Sequence, residues 1–277
     1  MKKLFFLSVL LVHGLMSQAA VVDTVSVYSA AMKRSIKTVV IRPEGVGASE
    51  KLPVVYLLHG AFGDYANWLR RVPHIKDLAE QYKVMIVCPD GGYTSWYFDS
   101  PVDPSYQFET FVAKEVPAYV DAHYATIADR RGRVITGLSM GGHGGIFLSF
   151  RHADVFSGGG SMSGALHVSV ITQRYDVEKR LGDTITNQKY WRDWSALRVV
   201  ENYPKDSLSI IIDSGTEDLG IIGMNRAMHD KLLNLKIPHE YTERPGQHNW
   251  VYWSNAIDYQ LLFFRKHFNK LLGIRPL

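Results

Sequence analysis

Residues 133–151 read as a strand, a sharp turn and a helix in direct succession. The apolar run Arg133-Val134-Ile135-Thr136 leads into Gly137-Leu138-Ser139-Met140-Gly141, and a helical stretch runs from Gly141 to Arg151. In that setting a Gly-x-Ser-x-Gly pattern is an elbow that presents its serine. The glycines two before and two after Ser139 leave room for a strained turn that a Cβ would crowd. Such a turn lifts the Ser139 hydroxyl out of the sheet and faces the Met140 N–H into the same space. The competing reading is an ordinary Gly/Ser turn, since short matches recur by chance in glycine-rich chains.

The rest of the chain alternates β-rich runs with helical patterns. Strands are expected over Thr24 to Tyr28, Lys37 to Ile41, Val54 to Leu58, Val84 to Cys88, Ser209 to Ile212 and His239 to Arg244, with a further one within Phe156 to Ser163. Val54-Val55-Tyr56-Leu57-Leu58 is continuously apolar, as a strand covered on both faces requires. Phe108, Phe111, Val112, Val116, Tyr119 and Val120 recur at helical spacing, with Pro117 set to kink or restart that helix. Met224, Met228, Leu232 and Leu235 form a second stripe, and Ile257, Leu261, Phe264, Phe268 and Leu271 a third, with Gly273 as its stop. The stripes read as core faces. Strand–helix alternation predicts an α/β fold with a mostly parallel central sheet flanked by helices. Residues 165–205, polar and aromatic, break the alternation. They read equally well as a small cap and as a helical insertion.

Length and charge narrow the function. A chain of 277 residues, 46% hydrophobic and 21% charged, suits one large domain. Residues 1–19 have the form of a secretory signal peptide: Lys2 and Lys3, the apolar stretch Leu4 to Val12, then Ser17-Gln18-Ala19 as a cleavage site. His13 and Gly14 cut the apolar stretch short of the roughly 20 residues a membrane anchor needs. The expected product is exported, periplasmic or extracellular, with residues 20–277 as one domain. Of the 31 basic residues, those left without Lys2 and Lys3 nearly balance the 27 acidic ones, so charge gives no argument for nucleic acid. The single cysteine, Cys88, lies in the apolar run and reads as a core residue. No Cys/His spacing indicates a metal, and no cofactor is expected.

A serine hydroxyl needs a base and an acid that orients the base. With an elbow serine, acid and then histidine follow downstream. His152, His167, His229, His239, His248 and His267 are the candidates. His248, in Pro245-Gly246-Gln247-His248-Asn249-Trp250, follows the last expected strand and is favoured; His229 and His267 read as solvated or capping. Among the acids Asp218, in Gly215-Thr216-Glu217-Asp218, is favoured, Asp213 is its rival and Glu217 reads as solvated. Two N–H donors must also face the developing oxyanion. Met140 is one, and Ala61, in Leu58-His59-Gly60-Ala61-Phe62-Gly63-Asp64, is the other. His143 and His59 read as structural.

These segments carry a resemblance. Tyr56-Leu57-Leu58-His59-Gly60, Trp96-Tyr97-Phe98-Asp99-Ser100, Gly137 to Gly144, Gly215 to Asp218 and His248 to Trp253 are similar to the esterase D-like family. That family includes S-formylglutathione hydrolases, tributyrin esterases, feruloyl and acetylxylan esterases of carbohydrate esterase family one, and mycolyltransferases. The resemblance spans roughly residues 24–270. It implies an α/β-hydrolase fold with small or no cap, a Ser139, His248, Asp218 triad and Ala61 and Met140 as oxyanion donors. Many relatives carry a bulkier residue at the position of Ala61.

Export argues against a cytosolic thiol-conjugate hydrolase and for an ester substrate linked to carbohydrate. Trp96 and Trp250, beside family motifs, are the foremost substrate-contact candidates, ahead of Tyr97, Trp191, Trp194 and Trp253. The alternatives are an acyltransferase to a sugar acceptor, a short-chain esterase and a non-catalytic carbohydrate-binding protein. Acyl group, alcohol and oligomeric state are not legible in the residues.

Overall fold

The structure, a computed structural model, describes residues 20–46, 50–171, 175–202 and 208–274. The leader read in residues 1–19 lies outside them. Eight strands form one sheet: β1 (Val21–Ser29), β2 (Arg34–Arg42), β3 (Val54–Leu58), β4 (Met85–Pro89), β5 (Arg133–Gly137), β6 (Gly158–Met162), β7 (Ser209–Gly215) and β8 (Glu240–Arg244). Their spatial order is β1-β2-β4-β3-β5-β6-β7-β8. β1, β2 and β4 pair antiparallel, and every pairing from β4 through β3 to β8 is parallel. The mostly parallel sheet expected from the alternation is present.

Strand periodicity divides the core. Val54, Tyr56 and Leu58 of β3 point into one apolar cluster, and Val55 and Leu57 into another on the opposite face. The second cluster is covered by α1 (Asn67–Arg71), α2 (Ile75–Tyr82) and α10 (Trp250–Leu272). Fully burying side chains such as Phe264 and Phe268 of α10 contributes about 1.5–3 kcal/mol each. The first face is covered by the segment from Phe108 to His123. There α3 (Phe108–Thr110) passes through a π-turn (Phe111–Glu115) into α4 (Val116–His123), which carries Pro117 in its first turn. The restart predicted at Pro117 is therefore made by the π-turn just before it, which lets the stripe stay buried while the proline occupies a position needing no N–H.

α5 (Met140–Arg151) lies against β5 and β6, and the glycine-rich β6 explains how. A Cβ on Gly145 would fall 2.2 Å from Gly160 O, so helix and strand approach through backbone alone. α9 (Ile222–Asn234) packs Met228 and Leu232 onto Ile210 and Ile212 of β7. The third stripe forms α10, which ends at Gly273 with φ 65°. Among the described residues no helix is long and apolar enough to cross a membrane.

The irregular 165–205 segment contains α6 (Val177–Leu181), α7 (Gln188–Asp193) and α8 (Ala196–Val199) between short 3-10 turns. Trp194 fastens it to the body by packing on Phe98. The Trp194 contact with Tyr190, and the 2.8 Å bond that the Trp191 indole N–H donates to Gly182 O, lie within the segment. Cys88 is buried, and burial pushes its thiol pKa far up, as expected for a core residue.

Candidate active site

Parallel strands place their following loops at one edge of the sheet, where ligands bind in open α/β folds. Here those loops come from β3, β5, β7 and β8, and they carry Ala61, Ser139, Asp218 and His248 respectively.

The serine is held in the strain its sequence implies. Ser139 has φ 54° and ψ −115°, a conformation a non-glycine residue keeps only under tertiary constraint. The constraint is visible on both sides. Ser139 N–H donates to Met162 O at 3.0 Å, and its carbonyl accepts from Ala165 N at 3.1 Å. A Cβ on Gly137 would meet Leu58 O at 2.6 Å, and one on Gly141 would meet His59 O at 2.6 Å. Both glycines are thus required by the close passage of β3.

The β7 and β8 loops are zipped together. Thr216 N–H donates to Arg244 O and Glu217 N–H to Gly246 O, both at 2.9 Å, continuing the parallel pairing beyond the strands. Asn249 then caps α10 by accepting from Val251 N and Tyr252 N at 3.1 Å, a contact of about 1 kcal/mol that fixes the residue after His248. As a result His248 Nε2 lies 2.9 Å from Ser139 Oγ, and Nδ1 lies 2.6 Å from Asp218 Oδ2. Asp218 is buried, and the Trp253 ring packs edge-on against the imidazole at 4.8 Å.

The rival acid is engaged elsewhere. Asp213 is buried beneath the site, where it accepts from Tyr252 Oη at 3.0 Å and Gln260 Nε2 at 2.8 Å. Burial pushes its pKa up to about 6 in spite of Arg244 nearby. It makes no contact with His248. Glu217 is exposed, as read, with Gln247 Nε2 at 3.3 Å.

The β3 loop is pinned from below. His59 is buried; its Nδ1 lies 2.8 Å from Gly60 O and its Nε2 accepts from Gly91 N at 2.8 Å. A carbonyl can only accept, so Nδ1 carries the hydrogen and the ring is neutral, in line with the lowering of its pKa by burial. Tyr97 Oη donates to His59 O at 2.9 Å, and Phe62 N–H to Tyr93 O at 2.7 Å. Among the described residues, neither Ala61 N–H nor Met140 N–H donates to another protein group.

His143 is buried, ringed by Trp96, Phe98 and Phe147, with its pKa lowered to about 3 by burial. It accepts from Ala196 N at 3.3 Å, tying α5 to the 165–205 segment. The expectation for His229 and His267 is corrected. His267 is half-buried between Ser157 Oγ at 2.9 Å and Ser209 Oγ at 2.7 Å, and His229 Nδ1 meets His239 Nε2 at 2.7 Å. Both pair across elements because their helices pack on strand ends, which helical spacing alone does not reveal.

Two clefts open on Ser139. One, of about 400 Å³, is lined by Trp96, Val170, Ile171, Tyr175, Ile221 and Met224. Trp96 itself is buried, in a left-handed conformation with φ 57°, and its indole N–H donates to Tyr175 O at 2.8 Å. The other, of about 350 Å³, is bordered by Phe62, Asn67, Arg70, Arg71, Trp250 and Trp253. Trp96 and Trp250 therefore fall on different sides of the serine. Neither cleft is lined by Trp191 or Trp194. Among the described residues no His, Cys, Asp and Glu side chains converge as a metal site.

The chain as a whole is similar to known esterases. The family model described as "Putative esterase" matches residues 29–264. An acetyl esterase of Caldicellulosiruptor saccharolyticus is 28% identical, with 76% of this chain and 82% of the relative aligned. A diacylglycerol acyltransferase/mycolyltransferase of Mycobacterium gordonae is 34% identical over 53% of this chain and 44% of its own length. A solved ferulic acid esterase superposes with a TM-score of 0.76 at 26% identity, covering 91% of this chain and 99% of that one. The chain belongs to this esterase family, has the α/β-hydrolase fold, and is a carboxylic ester hydrolase.

Proposed function

We propose that this member of the esterase family is an exported serine esterase that cleaves acyl or feruloyl esters of carbohydrates through a Ser139–His248–Asp218 triad. The observation that supports it is His248, within hydrogen-bond reach of Ser139 on one nitrogen and of buried Asp218 on the other. In this reading His248 Nε2 takes the Ser139 proton as Oγ attacks the ester carbonyl. Asp218 holds the Nδ1–H tautomer and stabilises the imidazolium. The Ala61 and Met140 N–H groups receive the oxyanion; a comparable donor is worth about 3 kcal/mol of transition-state stabilisation. His248 returns the proton to the departing alcohol, and water then hydrolyses the acyl-enzyme. The apolar cleft takes the acyl chain. The polar cleft takes the alcohol, because hydroxyl groups buried without partners cost several kcal/mol. The acetyl and ferulic ester relatives, and the leader read in residues 1–19, support an extracytoplasmic carbohydrate ester as substrate.

Acyl transfer to a sugar is a second reading, supported by the mycolyltransferase relative and by a polar cleft bordered by Trp250. It differs only in which hydroxyl resolves the acyl-enzyme.

The test is hydrolysis of p-nitrophenyl acetate, methyl ferulate and acetylated xylan by residues 20–277, with and without free sugar acceptors. Free acid as the sole product supports the hydrolase, and acylated sugar in excess supports transfer. Failure on every ester would sink both.

A further inference from the structure

The two clefts beside Ser139 differ in charge. The acyl-side cleft is lined by aliphatic and aromatic groups, and its one carboxylate, Asp218, faces His248. The opposite cleft is bordered by two arginines, Arg70 and Arg71, and by no carboxylate. Arg70 is engaged by Asp64 at 2.6 Å. The Arg71 side chain has no ion pair or hydrogen bond among the described residues. This cleft thus holds an unpaired guanidinium on a wall it shares with the reacting serine.

We propose that the alcohol half of the substrate carries an anionic group, a carboxylate or a phosphate, and that Arg71 binds it. This rests on the esterase reading above and names the chemistry of its leaving group. A guanidinium presents planar forked donors that match both oxyanions. An exposed ion pair is worth up to about 1 kcal/mol, or roughly fivefold in kcat/KM. The interaction is therefore a selector among alcohols and not the main source of binding.

The experiment compares acetylated methyl glucuronoside, methyl glucoside and methyl glucoside phosphate, each rate being divided by the same enzyme's rate on p-nitrophenyl acetate. The wild type is expected to favour a charged ester over the neutral one about fivefold. The uronate and phosphate arms distinguish the two sources of the anion. The preference is expected to collapse in Arg71→Gln, to survive in part in Arg71→Lys, and to fade as salt rises from low to high concentration. Equal rates on all three esters, or a preference that persists in Arg71→Gln or at high salt, overturn the inference. A wild type inactive on p-nitrophenyl acetate overturns the esterase reading first, and this one with it.

Discussion

Gly215 and Gly246 touch backbone to backbone: a Cβ on Gly215 would fall 2.3 Å from Gly246 O. The contact sits where β7 and β8 run out side by side, just before the loops that carry Asp218 and His248. The geometry between these two side chains is thus set by main chain. Gly215→Ala must force the loops apart. Its kcat on p-nitrophenyl acetate is expected to fall at least tenfold, with the circular dichroism of the folded protein retained. An unimpaired Gly215→Ala enzyme would show that the loop spacing is not what aligns the pair.

The two candidate acids separate by their partners. Asp218→Asn replaces the carboxylate with an amide that can donate to His248 Nδ1 and hold the wrong tautomer, and kcat is expected to drop roughly 10³–10⁴-fold. Asp213→Asn disturbs the buried contacts to Tyr252 and Gln260, so its effect is expected in the unfolding midpoint and within tenfold in kcat. The reverse ranking would exchange their roles.

Met224 comes from a stripe that reads as core, yet it is only partly buried and borders the acyl-side cleft. Two further methylenes buried there are worth about 0.8 kcal/mol each, or roughly tenfold in preference for butyrate over acetate. Met224→Trp fills the cleft, and the butyrate/acetate ratio of kcat/KM on p-nitrophenyl esters is expected to fall about tenfold. A ratio that does not move would place the acyl chain elsewhere.

Stability is expected to decline on acidification. Burial holds His143 at about 3 and His267 at about 4, while the unfolded chain protonates both near pH 6.5. Between about pH 6.5 and 4 the unfolded state therefore binds more protons, and stability falls by about 1.4 kcal/mol per pH unit for each such histidine. Asp213, raised to about 6, acts in the opposite direction, since its folded form takes up the proton first. Two histidines outweigh one carboxyl, so the thermal midpoint should drop from pH 7 to pH 4, and less steeply in His143→Gln. A midpoint that rises on acidification would contradict this balance.

Much of this was legible because the local demands are severe. A serine between glycines after an apolar run has few conformations open to it, and the order Ser139, Asp218, His248 follows from successive loops at one sheet edge. β6 was harder to read, since its glycines carry no apolar signal and serve contact with α5. The sequence favours Asp218 over Asp213 but does not show the geometry that separates them: Asp213 lies inside β7, and the paired β7 and β8 loops set Asp218 beside His248. The cleft walls were not legible. Val170 and Ile171 lie in and beside a 3-10 turn with no periodicity, and Arg71 ends a helix of five residues.

In the proposed reaction Ser139 is the nucleophile, activated by His248. Intact-mass and peptide mass spectrometry after exposure to a fluorophosphonate tests it most directly. One adduct is expected, on Ser139, absent from Ser139→Ala and formed far more slowly in His248→Gln. An adduct on another residue, or one that persists in Ser139→Ala, would contradict it.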